Sequence, residues 1–147
     1  MNGLDCYRWF AGSMSDFAKP FKESEALYNQ ARVFWRHLEG ASTIIIAVFV
    51  IIGVAFAFTY YIPYNEKPGR HYHPIHWLKF LLYTFVLTFI ITLGFEYFVV
   101  KPKLDGAFMV EFMIAIANAI YASLVYWAVS FLWCNFCPTN AYRMFKI

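Results

Sequence analysis

Charged residues are scarce in this chain of 147 residues: 14% are Asp, Glu, Lys or Arg, whereas 61% are hydrophobic and 22% aromatic. A water-soluble domain of this length has too large a surface for its volume to bury so many apolar side chains. We therefore expect lipid to be the solvent for much of the chain, as in an integral membrane protein.

The common sequence signatures of catalysis and of nucleic-acid binding are also missing. No GxGxxG, GxxxxGK[ST], HExxH or GxSxG string occurs, and the net charge of +3 is dispersed rather than gathered in a Lys/Arg run. Residues 1–21 contain acidic residues and no continuous apolar segment, unlike a secretory signal or a transit peptide. We expect no enzymatic activity and no nucleic-acid partner.

Three long apolar stretches predict an all-α integral membrane protein with three transmembrane helices. At about 1.5 Å per residue, each stretch is long enough to cross a hydrocarbon core of about 30 Å. Pro74, before the second stretch, is typical of a first helical turn. We expect residues 43–147 to form one transmembrane domain, with spans at about 43–61, 77–100 and 107–136.

Residues 1–42 differ in character and are expected to form an amphipathic N-terminal segment. Leu27, Ala31, Phe34 and Leu38 recur at spacings of four, three and four, which places them on one helical face. Gly40 predicts the end of this helix just before the first span. We expect the helix to lie in the membrane interface, with docking on a partner's soluble domain as the alternative.

Aromatic and basic side chains near the ends of the spans predict contacts with lipid headgroups. An odd number of spans also places the N-terminus and the 101–106 loop on one side of the membrane. Seven Lys and Arg residues fall on that side and four on the other, which favours a cytoplasmic or equivalent N-terminus. The predicted interface residues are Trp35, Arg36, Tyr60, Tyr61, Tyr64, Trp77 and Lys79.

Polar side chains form a line along each of the last two spans. Thr84, Thr88, Thr92 and Glu96 follow at intervals of four in the second span, and Glu111 and Asn118 lie among small residues in the third. Because a short loop makes these helices antiparallel neighbours, we expect the two lines to meet. The lines could serve packing between helices or subunits, or they could line a path for ions or protons. The two glutamates could also pair with Lys101 and Lys103 near the headgroups.

Histidines and cysteines are expected on the opposite side of the membrane from the N-terminus. His71, His73 and His76 precede the second span, and Cys134 and Cys137 end the third. Imidazoles and thiolates on one face could bind zinc or copper, or the CxxC pair could undergo thiol exchange. A structural role is the preferred interpretation, so we expect no cofactor, with a metal ion as the alternative.

Together these features predict a non-catalytic, membrane-embedded subunit or anchor of a larger assembly. Its partners would be membrane lipids and other membrane-protein subunits or copies of itself. The first alternative is a homo-oligomeric pore lined by the Thr84–Glu96 line or by the face that carries Asn118. The second is a metal-binding or redox protein that uses the histidines and cysteines.

Overall fold

The computed structural model describes residues 3–65, 67–68, 73–137, 139, 141 and 145, and all regular elements within them are helical. Short 3₁₀ turns, Gly3–Tyr7 and Lys19–Phe21, flank two short α-helices, and a π-helical turn, Tyr60–Tyr64, extends the first long helix. The α-helices in chain order are α1 (Arg8–Ala11), α2 (Met14–Ala18), α3 (Glu25–Thr59), α4 (Pro74–Val99) and α5 (Ala107–Phe136).

Three helices in the described part of the chain are long and apolar enough to cross a membrane, as the sequence predicts. The predicted spans at 77–100 and 107–136 coincide with α4 and α5 to within three residues at either end. The predicted span at 43–61 lies within the helix Glu25–Tyr64. Only 17% of the most apolar window of α4 is buried inside the chain, so most of that helix presents apolar side chains outward.

The expected helix end at Gly40 is wrong, because α3 continues without interruption from Glu25 to Thr59. A single glycine in a helix interior costs only about 1 kcal/mol relative to alanine. The apolar residues that follow Gly40 favour continuation, and no proline interrupts them. The amphipathic segment and the first apolar stretch are therefore one helix rather than a surface helix followed by a span.

Local sequence signals explain where the other long helices begin. Pro74 is the first residue of α4, where the missing proline N–H has no intrahelical partner to lose. Gly106 has a φ of 80° immediately before α5, a left-handed conformation that glycine adopts without steric cost. The loop between α4 and α5 is short as a result, as the sequence predicts.

Residues 3–21, which we call the N-terminal segment from here on, pack beside the first turns of α3, which carry most of its charged residues. The Ser13 side chain accepts a hydrogen bond from the Asp16 N–H at 3.3 Å and so caps the start of α2. Hydrogen bonds from Ser13, and secondarily from Lys19, hold the pKa of Asp16 below its ordinary value. Asp16 therefore stays ionised in the first turn of α2, where negative charge is favourable.

The amphipathic pattern in the first part of α3 is confirmed for three of its four residues. Ala31, Phe34 and Leu38 are fully buried, whereas Leu27 is exposed near the start of the helix. The Phe17 ring lies 5.1 Å from the Phe34 ring, between centroids. The N-terminal segment therefore covers the apolar stripe that the sequence pattern reveals.

The chain divides into two compact units, which we call unit one and unit two. Unit one comprises Met1–Val48 and Phe89–Asn118, and unit two comprises Phe49–Thr88 and Ala119–Ile147. The predicted boundary between residues 42 and 43 is not tested by this division and stays a prediction.

Unit two has a core of aromatic side chains joined by a few hydrogen bonds. Trp77 donates through its indole N–H to Ser130 Oγ at 3.1 Å, and the Tyr126 hydroxyl donates to the Trp77 carbonyl at 3.3 Å. These bonds join the start of α4 to the last third of α5. The start of α4 and the end of α5 were expected on the same side of the membrane, and the bonds agree with that expectation. The buried members of this core are Ala57, Tyr60, Tyr61, Trp77, Tyr126, Cys134 and Ala141.

Gly53 allows α3 to approach α5 closely within unit two. A Cβ atom built at Gly53 would lie 2.7 Å from the Ala122 carbonyl oxygen and 2.9 Å from Val125 Cβ. Small residues that let helix backbones meet are typical of helix contacts in membranes. Gly53 is thus a residue whose small size the packing requires.

We expect Gly53→Ala to destabilise the protein by about 1–3 kcal/mol, because the added methyl group meets backbone that cannot move aside. Unfolding by SDS titration in mixed micelles measures this change. Gly94→Ala is the matched control, since a Cβ there meets nothing within 4 Å. That substitution should leave stability unchanged or raise it by up to about 1 kcal/mol, and equal losses from both would contradict the close approach at Gly53.

Candidate functional site

The polar residues predicted within the last two spans are all buried in the structure. Each is exposed by 1% or less, although they belong to long and otherwise apolar helices. A buried polar group without a partner costs free energy, so each must be accounted for. The set is Thr84, Thr88, Thr92, Glu96, Glu111 and Asn118.

Asn118 is the centre of a hydrogen-bond network in unit one. Its amide nitrogen donates to Thr92 Oγ1 at 2.7 Å and to the Ile45 carbonyl at 3.0 Å. Its amide oxygen accepts from the hydroxyl of Tyr7 at 2.7 Å. One side chain of α5 is thereby bound to α3, to α4 and to the N-terminal segment.

This network confirms that the two predicted polar lines meet, at Thr92 and Asn118. It also adds Tyr7, which sequence reasoning missed because a single tyrosine in a segment of short helices has no periodic signal. Tyr7 is fully buried despite its place near the N-terminus. Within unit one, the N-terminal segment is thus joined to α5 by a polar contact and to α3 by apolar packing.

A second polar site lies at the turn between α4 and α5. The Lys103 ammonium forms an ion pair with the Glu111 carboxylate, donates to the Glu96 carbonyl at 3.3 Å, and lies 4.9 Å from the centre of the Tyr97 ring. The Lys103 side chain is 30% exposed, whereas that of Glu111 is fully buried. The expected pairing of a glutamate with a loop lysine is therefore present for Glu111.

Glu96 differs from Glu111 because its carboxylate has no hydrogen-bond partner among the described residues. Both of its carboxylate oxygens are buried and unpaired, as is Oε2 of Glu111. Glu96 also lies within electrostatic range of both Glu111 and Lys103. One lysine ammonium therefore lies near two fully buried carboxylates, and three of the four carboxylate oxygens accept no hydrogen bond from the described residues.

At the same end of unit one, His37 of α3 contacts the loop between α4 and α5. The Nδ1 atom of His37 lies 2.6 Å from the Lys101 carbonyl oxygen. Since a carbonyl oxygen only accepts, His37 Nδ1 must be the donor in this contact. Sequence analysis did not single out this histidine as a contact of the loop.

The remaining threonines of the second span make local contacts or none. Thr84 donates to the Phe80 carbonyl of its own helix at 2.8 Å, a common arrangement for threonine in an apolar helix. Thr88 Oγ1 is buried without a hydrogen-bond partner among the described residues. Neither hydroxyl takes part in a polar contact between helices of unit two.

Two members of the predicted metal site, His76 and Cys134, lie within hydrogen-bond distance of tyrosine hydroxyls. The Tyr64 hydroxyl and His76 Nδ1 are 2.7 Å apart, and the His73 and His76 rings are 5.9 Å apart between centroids. Cys134 Sγ lies 3.4 Å from the Tyr61 hydroxyl, and Cys134 and Cys137 are free thiols.

Among the described residues, no three His, Cys, Asp or Glu side chains come together in a group of the kind predicted for the histidines and cysteines. His71 lies outside the described residues, so the full predicted set is not tested and stays a prediction.

The residues predicted to meet lipid headgroups divide into two groups. Arg36 and Lys79 are exposed and Tyr64 is half-buried, whereas the other four aromatic side chains are buried within the chain. Aromatic side chains suit both a membrane interface and a protein core, and sequence position does not separate the two roles. The buried members are Trp35, Tyr60, Tyr61 and Trp77.

Comparisons with protein-family models, with curated proteins and with solved structures find no match to this chain.

Proposed function

We propose that this protein is a multi-pass membrane protein without catalytic activity that serves as an embedded subunit or anchor of a larger assembly. Lipid contact is supported by α4, whose most apolar window is only 17% buried by the rest of the chain. Large side chains such as Leu82, Ile90 and Ile91 point outward from this helix. Only an apolar surrounding makes that exposure favourable.

The Asn118 network supports a proposed position of the helices in the hydrocarbon core. Ile45, near the start of the apolar run of α3, is bonded to Asn118 of α5, which is bonded to Thr92 of α4. From these residues there are 19 positions to Tyr64, at the end of the π-helical turn, 18 to Pro74 and 18 to Phe136, or about 27–29 Å, which matches a core of about 30 Å. Asn118 then lies near one boundary of the core rather than at its middle.

The turn between α4 and α5 extends beyond the core in this register, and it carries exposed apolar side chains. Phe98 is 76% exposed, and Val99, Phe108 and Met109 are each more than half exposed. We call these four residues the turn patch. Large apolar side chains that are exposed outside the lipid are typical of a protein contact surface, and the turn patch is the observation that carries the proposed role as a subunit.

The orientation that we propose rests on the same register and on the distribution of Lys and Arg residues. The N-terminal segment, the polar part of α3 and the α4–α5 loop contain seven Lys and Arg residues beyond the core. The positive-inside rule places that end in the cytoplasm or its organellar equivalent. The turn patch would then meet a cytoplasmic or membrane-associated partner.

We expect Phe98→Ser combined with Met109→Ser to release the protein from its complex without unfolding it, because both side chains are exposed in the isolated chain. Native-membrane extraction in mild detergent followed by size-exclusion chromatography with light scattering measures the assembly. Copies of this chain and other subunits are distinguished by co-expressing two differently tagged copies.

The matched control is Leu82→Ser, which removes an exposed apolar side chain from the part of α4 assigned to lipid. It should leave the assembly intact. A wild-type protein that runs as a monomer with bound detergent alone, or equal effects of both changes, would contradict the subunit role.

Burial of the polar lines also supports the subunit role over a homo-oligomeric pore. Thr92 and Asn118 are bonded to each other inside one chain, and neither is exposed for contact with a conducting path. Conductance of the purified protein in planar bilayers that is altered by Thr88→Val or Asn118→Leu would favour the pore instead.

A further inference from the structure

We propose that the Glu111–Lys103 ion pair and the Glu96 carboxylate together form a binding site for one small monovalent cation, with Na⁺ as the ion that fits best. All of its residues belong to unit one. The site goes beyond the proposed role as a membrane subunit, and it does not depend on it.

The first argument is the charge within the site. Glu96 and Glu111 are both fully buried, and Lys103 is the cation in contact with Glu111. With both carboxylates ionised, the two carboxylates and one ammonium sum to one negative charge. Buried charge is costly unless it is compensated, so one added positive charge makes the site neutral. A divalent ion would instead leave an excess positive charge.

The second argument is the supply of oxygen atoms. Both carboxylate oxygens of Glu96 and Oε2 of Glu111 are buried without hydrogen-bond partners among the described residues. Hard cations bind oxygen ligands, and carboxylates are the strongest of these. A proton on Glu96 would neutralise one charge but would leave oxygen atoms unpaired, whereas one metal cation can contact several oxygens at once.

The third argument is the position of Glu96 in the last turn of α4. The carboxyl end of a helix carries a partial negative charge that favours a cation, and helix C-terminal ends contribute to sodium sites in transporters. Lys103 already exploits this position through its bond to the Glu96 carbonyl. The Lys103 side chain is 30% exposed, so the ion pair is in contact with solvent on the lysine side.

Few charged or titratable side chains of the neighbouring elements face the site among the described residues. A response to Na⁺ can therefore be attributed to the side chains named here. Glu111 faces it from α5, Lys103 from the loop, and the Tyr97 ring lies under the ammonium groups of Lys103 and Lys101. Titration of other acids in unit one should therefore not reproduce the response of this site.

The test is the thermal unfolding of the full-length protein in detergent, in NaCl and in choline chloride of equal ionic strength at pH 8. We expect Na⁺ to raise the Tm by about 5 °C at saturation, because an ion bound only by the folded state stabilises it. Glu96→Gln should remove the response to Na⁺ and raise the Tm in choline chloride. Glu25→Gln, an exposed acid in the first turn of α3, should keep the wild-type response.

Binding of ²²Na⁺ to wild type and to Glu96→Gln provides a second measurement that does not depend on stability. Equal Tm values in NaCl and choline chloride, or an undiminished sodium response in Glu96→Gln, would overturn the proposal. A larger response to CaCl₂ than to NaCl would assign a divalent site instead. A rise in Tm at pH 5.5 in choline chloride without a sodium response would assign a proton to Glu96.

Discussion

Lys103→Met should be among the most destabilising single substitutions in this protein, with an expected loss of about 2–4 kcal/mol. Removal of the ammonium leaves the buried Glu111 carboxylate without its partner, and an uncompensated buried charge typically costs 3–5 kcal/mol. The partial exposure of Lys103 lowers this expectation, because solvent already screens part of the pair. SDS titration in mixed micelles of choline chloride buffer measures the loss.

Two further variants separate the lost ion pair from other effects of the substitution. Lys101→Met, at an exposed loop position 6.0 Å from the Tyr97 ring, should change stability by no more than about 0.5 kcal/mol. Lys103→Met combined with Glu111→Gln should recover much of the loss, because the second change removes the isolated charge. A double variant as unstable as Lys103→Met alone would show that the loss comes from packing of the lysine stem.

Asn118→Leu should have the second large effect, with an expected loss of about 3 kcal/mol. Leucine fills a similar volume but deprives the Tyr7 hydroxyl and the Ile45 carbonyl of the bonds they make to Asn118. Each buried polar group that loses its partner costs about 1–3 kcal/mol. The N-terminal segment should also become more susceptible to limited proteolysis, since its polar attachment is lost.

The coupling between Tyr7 and Asn118 is measured by adding Tyr7→Phe and the double variant. Tyr7→Phe alone should cost about 1 kcal/mol, and its effect should nearly vanish when Asn118→Leu is already present. Asn29→Leu, at an exposed position of α3, is the control and should be close to neutral. Additive losses in the double variant would mean that the two side chains do not act through their shared bond.

The apolar helices could be predicted from the sequence because their signal is local and strong. Pro74 and the apolar runs mark the positions of α4 and α5, and the composition alone favours helices in lipid. The prediction at Gly40 is wrong because a glycine weakens a helix without ending it. Whether the helix continues depends on the residues that follow the glycine. The pattern of Ala31, Phe34 and Leu38 succeeds since it reports a buried face whatever lies against it.

Only part of the candidate site could be predicted from the sequence. Its polar residues within the apolar helices could be identified, but their hydrogen-bond and ion-pair partners could not. Thr92, Glu96, Glu111 and Asn118 stand out because polar groups are rare in apolar helices. The partner of Asn118 in the N-terminal segment could not be predicted, since a hydrogen bond across 111 residues leaves no periodic signal in either segment. Likewise, nothing local decides that Lys103 pairs with Glu111 while the Glu96 carboxylate stays unpaired.

The hydrogen bond between Tyr7 and Asn118 also sets an order of events during synthesis. Tyr7 leaves the ribosome first, and Asn118 is made 111 residues later, which takes roughly 6–22 s at about 5–20 residues per second. Throughout that interval the N-terminal segment has no α5 on which to dock. The bond therefore closes only after α5 has entered the bundle, so the residues around Tyr7 reach their final position later than the helices that are made between Tyr7 and Asn118.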